Sequence, residues 1–310
     1  AETERQSAEL YQWLVAPVAH MLRQARMLYI IPDDVLYYLP FVALKDERDK
    51  RLFLEKFAPT FAPSLTALQL MLQRSTPFAY RAESPALLIA MDSKSIPHAK
   101  LEIKAVANFF KNATPKIYTH LTRLELTGML DRFQGIVHLA LHADVDDSQP
   151  LHSFLILDER RSNRSQRGAE VKHVTLQGLR YSSARLRDDA GILRAADILD
   201  LDLHGQQLAV LSACKTALGQ NLSGEGMMGL TQAFLCAGAE RLLTSLWDVD
   251  DRSTSELMRA FYRHLQQGAP PARALRAAQL QMIQNLEARA SLSYAFPYFW
   301  AAFVLTGRGD

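Results

Sequence analysis

Short apolar runs alternate along this chain with longer segments in which apolar residues recur every third or fourth position. The runs ALLIAM (86–91), GIVHLAL (135–141), FLILD (154–158), QLAVLSA (207–213) and RLLTSLW (241–247) are nearly continuous in apolar character. That is the pattern of strands buried on both faces. LYIIP (28–32) and KIYTH (116–120) read as shorter strands. Helical spacing marks 8–27, PSLTALQLMLQR (63–74), HAKLEIKAVANFFKN (98–112), LTRLELTGMLDRF (121–133), MMGLTQAFLCAGA (227–239), 252–267 and 270–289. DDVLYYLPFVAL (33–44) is apolar and turn-flanked. Strands alternating with helices predict βαβ units, hence an α/β fold with a mostly parallel sheet covered by helices on both faces.

Two stretches interrupt the rhythm. Thr76 to Pro85 is polar and holds two prolines, so it is the predicted internal boundary. Arg160 to Asp189 is rich in Arg and Ser with little apolar pattern. It reads as a mobile surface insertion, which costs a fold little stability; a regulatory or cleavable loop is the alternative.

Composition narrows the class. The chain has 310 residues, 48% hydrophobic and 22% charged, with a formal net charge of +2. That suits a globular protein and leaves no electrostatic case for nucleic acid. No apolar run reaches membrane-span length and no signal peptide is visible. The two cysteines cannot build a disulfide framework, which points to a reducing, cytoplasmic setting. The chain opens AETERQSAEL without Met, as a piece of a longer protein would.

The candidate chemistry sits at strand ends, where open parallel sheets form their sites. GIVHLAL runs into His142 and QLAVLSA into Cys214. A Cys and a His at the ends of neighbouring strands make a thiolate nucleophile and its acid–base partner. Against this, a lone Cys is usually core; Cys236 in AFLCAGA reads that way. A zinc pair of His138 and His142 needs a helix, and on a strand the two would lie roughly 13 Å apart. His138 is then an inward-facing neighbour of the site. GEGMMG (224–229) satisfies G-x-G-x-x-G but lies some ten residues beyond its strand. It reads as a loop opening a helix better than as a nucleotide site. No G-x-S-x-G is present.

At these residues the sequence resembles the CHAT domain, the caspase-like domain associated with tetratricopeptide-repeat (TPR) proteins, in the same peptidase clan as caspases and separase. The resemblance runs through LYIIPDDVLYYLPFVAL, APSLTAL, IVHLALHA, FLILD, ADILDLDLHGQQLAVLSACKTALG, GEGMMGLTQAFLCAGAERLLTSLWDVDDRSTSELMRAFYRHL, ARALRAAQ and PYFWAAFVLTG. It implies a caspase–hemoglobinase fold, with residues 1–85 as a degenerate protease-like half and 86–310 as the catalytic half. It implies a cysteine endopeptidase with catalytic His142 and Cys214 and an oxyanion site at the amides of Ala143 and Cys214. The implied partners are a protein substrate and a TPR-containing regulatory region; no cofactor or metal is implied. The family usually has Gly where this chain has Ala143, so the backbone there is ordinary, strained, or a weaker oxyanion site. SLWDVDD is placed to line a P1 pocket, with Trp247 as an apolar wall and Asp248, then Asp250 or Asp251, as the acid that selects Arg or Lys. The competing reading is that DVDD caps the following helix. Asp144, Asp146 and Asp147 could orient His142, and Lys215 could favour the thiolate. Rival functions are an inactive CHAT module serving as a protein-interaction scaffold, and a small-molecule-binding module using GEGMMG.

Overall fold

The computed structural model describes residues 2–73, 78–94, 96–146, 149–158, 173–176, 179–182, 190–212, 214–215, 226–247, 249–284 and 294–310. For 173–176, 179–182, 214–215, 226–228 and 251 it describes the backbone alone. The fold is mixed α/β around a mostly parallel sheet. In chain order the strands are β1 (Met27–Ile30), β2 (Ala58–Phe61), β3 (Ala86–Met91), β4 (Lys116–Tyr118), β5 (Gly135–Ala140), β6 (His142–Asp144) and β7 (Phe154–Ile156). There follow β8 (His173–Leu176), β9 (Leu179–Ser182), β10 (Ile192–Arg194), β11 (Gln206–Leu211), β12 (Cys214–Lys215), β13 (Arg241–Ser245) and β14 (Phe303–Gly307).

Eight strands form the central sheet in the order β1-β2-β14-β13-β11-β5-β3-β4. Its pairings are parallel except at β13–β14. The sheet is therefore two parallel blocks, β1-β2-β14 and β13-β11-β5-β3-β4, meeting at one antiparallel seam. The residues before Pro85 supply β1 and β2, and the C-terminal β14 joins them to the rest. A second sheet, β10-β7-β6-β12, lies beyond the ends of β5 and β11.

The apolar runs become strands because their side chains are covered on both faces: β5 is buried at every position, as is β13. Gly135 opens β5 at φ 128°, and a Cβ there would fall 2.2 Å from the Pro85 carbonyl oxygen, so only glycine fits beneath β3. Helices Ala99–Ala107, Asp251–Gln266 and Pro271–Gln284 pack on one another along the sheet. Helix Gly226–Cys236 packs on β13 and on the short helix Ala195–Ile198. Helix Arg123–Leu130 starts at a capping box, with Thr122 Oγ1 accepting from the Glu125 amide and Glu125 Oε2 accepting from the Thr122 amide at 2.8 Å.

Several elements differ from the sequence reading. The expected helix over 8–27 stops at Leu14, because Pro17 cannot continue it; a 3-10 turn Ala16–Val18 follows. DDVLYYLPFVAL resolves into two 3-10 turns, Asp34–Tyr38 and Phe41–Ala43. β2, Ala-Pro-Thr-Phe, escapes a periodicity reading because Pro59 argues against a strand. Within 160–189, β8 and β9 pair as an antiparallel hairpin separate from both larger sheets. The rest of that expected insertion lies outside the described residues, as do Arg74 to Pro77 in and beside the expected boundary.

Candidate active site

Both histidine and cysteine lie where their strands leave the central sheet. β5 ends at Ala140, and His142 starts β6 in the second sheet. β11 ends at Leu211, and Cys214 starts β12 in that same sheet. β6 and β12 are parallel neighbours with Cys214 in register with His142 and Lys215 with Ala143. Registered residues on adjacent strands have backbones about 5 Å apart and share a face. The chain thus brings together two residues 72 positions apart, by repeating one manoeuvre at adjacent strand ends. The helix spacing for a His138–His142 metal pair is absent, because the two occupy different strands of different sheets. Among the described residues no group of three His, Cys, Asp or Glu is placed to hold a metal ion.

His142 is only 7% exposed. Ala143 is buried, and among the described residues the non-glycine positions with positive φ are Asp34, Lys50 and Arg132. The backbone at Ala143 is therefore ordinary strand, and alanine sits there without strain. Asp146 Oδ1 accepts from the Gln149 amide at 2.9 Å, and the Asp146 amide donates to Ser153 Oγ at 3.0 Å, so this acid holds the turn after β6. Asp144 shares β6 with His142. Asp147, Asp248 and the side chains of Cys214, Lys215 and Asp251 lie outside the described residues.

β13 is the other neighbour of β11, so the segment after it borders the same end of the sheet. Trp247 is half-buried there and its Nε1 donates to the Tyr298 carbonyl at 3.0 Å. Asp250 is the N-cap of helix Asp251–Gln266, its Oδ2 accepting from the Ser253 amide at 3.0 Å. For Asp250, then, the capping role is present.

GEGMMG behaves as a packing device at its last glycine. A Cβ on Gly229 would stand 1.9 Å from the carbonyl oxygen of Pro150, in the turn Pro150–His152 that follows the His142 strand. The helix that opens at Gly226 needs a bare backbone at Gly229 to approach that turn. Cys236 corrects the sequence reading: it is exposed, not core. It shares an outward stripe with Gln232 four residues earlier, while Ala233, Phe234, Leu235 and Ala237 face inward.

The largest addition to the sequence reading lies beneath the strand ends. His138 is wholly buried, with Nε2 2.8 Å from Glu102 Oε1 and Nδ1 3.0 Å from the Tyr262 hydroxyl. Glu102 is 3% exposed, and its other oxygen accepts from Ser212 Oγ at 3.1 Å. In the tautomer with its proton on Nε2, His138 donates to Glu102 Oε1 and accepts from the Tyr262 hydroxyl at Nδ1. Burial, followed by the nearby Glu102 charge, pushes the Tyr262 hydroxyl well above its ordinary value and keeps it a donor. The signal was in HAKLEIKAVANFF: Ala99, Glu102, Ile103 and Val106 form its buried stripe, and the stripe contains a carboxylate.

The CHAT domain profile matches residues 4–308. The chain belongs to the CHAT domain family. Tetratricopeptide repeat protein 28 of Mus musculus is 26% identical over 335 aligned positions, and the human protein of that name 25% identical. Each alignment covers 96% of this chain but 13% of the relative, so this chain spans about an eighth of the length of those proteins. Among solved structures, the Saccharomyces cerevisiae separase–securin complex at 3.0 Å resolution aligns over 87% of this chain and 14% of its own, with TM-score 0.55 and 14% identity. That likeness shows a shared fold, the caspase-like one the sequence resemblance implied.

Proposed function

We propose that this CHAT domain is a cysteine endopeptidase, and the observation that carries the reading is the register of Cys214 against His142 across β6 and β12. With its proton passed to His142, the Cys214 sulfur attacks the scissile carbonyl carbon as thiolate. His142 gives a proton to the leaving amine as the C–N bond breaks, which leaves a thioester. Water, deprotonated by His142, then releases the acid product and restores the thiol. The developing oxyanion is held by the amides of Ala143 and Cys214. Trp247 borders the P1 pocket. Because Asp250 is engaged as a helix cap, Asp248 is the acid that would read Arg or Lys there. The substrate is a protein, and a TPR-containing region supplies activation, as the names and lengths of the relatives suggest. Among the described residues no helix is long and apolar enough to cross a membrane, and nothing in this chemistry requires one.

Replacing Cys214 or His142 by Ala should each lower peptide-bond hydrolysis on the order of 10⁴-fold while the melting temperature stays within a few degrees. Asp248→Asn should reduce cleavage after Arg or Lys far more than alkylation by iodoacetamide. A Cys214→Ala protein that still cleaves at the wild-type rate overturns the dyad.

The burial of His142 favours a second reading, an inactive module that serves as a binding scaffold. On that reading, neither substitution changes any property except local packing.

A further inference from the structure

We propose that Glu102 is a positioning residue that clamps the two strands leading to the dyad, acting through His138 on β5 and through Ser212 just after β11. The proposal rests on Cys214 and His142 working as a pair. Glu102 lies on helix Ala99–Ala107 and extends one oxygen to each strand. Oε1 meets His138 on β5, four residues before His142. Oε2 accepts from Ser212, the residue after β11 and two before Cys214. Ser212 is held a second time, its amide donating to the Leu139 carbonyl at 3.0 Å. Both strands are thus pinned to one carboxylate just before they leave the central sheet and come into register at Cys214 and His142. Tyr262 closes the far side, its ring stacked on His138 with centroids 5.7 Å apart.

Stability alone gives little reason for this choice. No Lys or Arg is within ion-pair distance of Glu102 among the described residues, where His138 is its partner. A buried carboxyl is expensive to desolvate, and an apolar side chain of like volume often serves a core as well. What an apolar side chain cannot do is fix two strands at hydrogen-bond precision. A nucleophile displaced by about 1 Å loses on the order of 10²-fold in rate. That is the expected size of the effect of releasing one arm.

The test uses a Cys236→Ser background, in which Cys214 is the only thiol, and three variants, Ser212→Ala, Ser212→Thr and Glu102→Gln. Three quantities are read: kcat and KM on a cleaved peptide, the pH profile of Cys214 alkylation by iodoacetamide, and the melting temperature. Ser212→Ala should lower kcat about 10- to 100-fold with KM within about twofold. Its alkylation profile should move toward that of His142→Ala. Ser212→Thr restores the hydroxyl and should recover kcat and profile to within about threefold. Glu102→Gln keeps the volume and one acceptor, and should fall between the two. Ser212→Ala with wild-type kcat and wild-type profile overturns the clamp, as does a Ser212→Thr no better than Ser212→Ala. Should Ser212→Ala fail to fold, Glu102→Gln with unaltered kcat and profile overturns it. If the parent protein cleaves no peptide, the alkylation profile still decides. A shift in Ser212→Ala upholds the clamp while the endopeptidase reading fails, and an unchanged profile overturns the clamp.

Discussion

The two parallel blocks of the central sheet each bury a carboxylate, one bonded within its own loop and next helix, the other bridging two strand ends. Beside the β1-β2-β14 block, Asp46 is 3% exposed, as buried as Glu102 in the other. Its partners are cations from its own loop and the next helix: Lys56 Nζ at 2.7 Å and Arg48 Nε at 3.1 Å. Burial would raise its pKa, but the hydrogen bonds from Arg48 and Lys56 outweigh that and hold it well below the usual carboxylate range. Around it, Phe41, Phe53, Phe57 and Phe61 join Tyr11, Val15, Leu44 and Val304 in a separate apolar cluster. All of Asp46's bonds serve that fold. Among the described residues Glu102 has no such cation. Its hydrogen bonds go to His138 on β5 and to Ser212 just after β11, the two strands that lead to His142 and Cys214. A buried acid paired with local cations thus looks inward to its own loop, and one spanning two strand ends points to what those strands present.

The comparison breaks most visibly at Glu102. Glu102→Ala strands the Nε2–H of His138 and the Ser212 hydroxyl in a buried site, and should cost about 3–5 kcal/mol in urea unfolding. It should also lower the reactivity of Cys214 in the molecules that remain folded. A loss under 1 kcal/mol means the network is not formed in solution.

Asp46→Asn should cost less, about 1–3 kcal/mol at pH 7, and leave Cys214 alkylation unchanged. The pH dependence follows from the sign of the shift. Because the folded carboxyl titrates below its unfolded value of about 3.9, its stabilisation is complete above that value. It is lost as pH falls further, toward the folded value. The wild type should therefore lose more stability than Asp46→Asn as pH drops below about 4. Parallel acid-unfolding curves would remove Asp46 from this account.

The smallest effect belongs to the second thiol. Cys236→Ser changes an exposed position on a helix and should shift stability by less than about 0.5 kcal/mol. A loss of 2 kcal/mol would return Cys236 to the core.

The sequence made the sheet legible wherever a strand is buried on both faces, because continuous apolar runs such as ALLIAM and GIVHLAL have few other uses. It also pointed to His142 and Cys214, since a strand end needs no knowledge of which strands are neighbours. It could not reveal their register, which depends on β6 and β12, strands of three and two residues too short to carry a period. β2 was hidden by its proline. Cys236 was misjudged because apolar neighbours on both sides outweighed the stripe that Gln232 marks. Glu102 went unnoticed for the opposite reason: a single charge in an apolar stripe was absorbed into a sound helix assignment. Its partners are 36 and 110 residues away, a distance that no local pattern reports.

The central claim is that His142 activates Cys214 as the attacking thiol. Its most direct test is covalent labelling with a panel of peptides that carry an electrophile at the scissile position, Arg and Lys at P1 among them, read by mass spectrometry of the modified residue. The account predicts labelling of Cys214 and not of Cys236, and a fall on the order of 10²-fold or more in His142→Ala. Labelling of Cys236 instead, or a His142→Ala protein labelled as fast as the wild type, would contradict it.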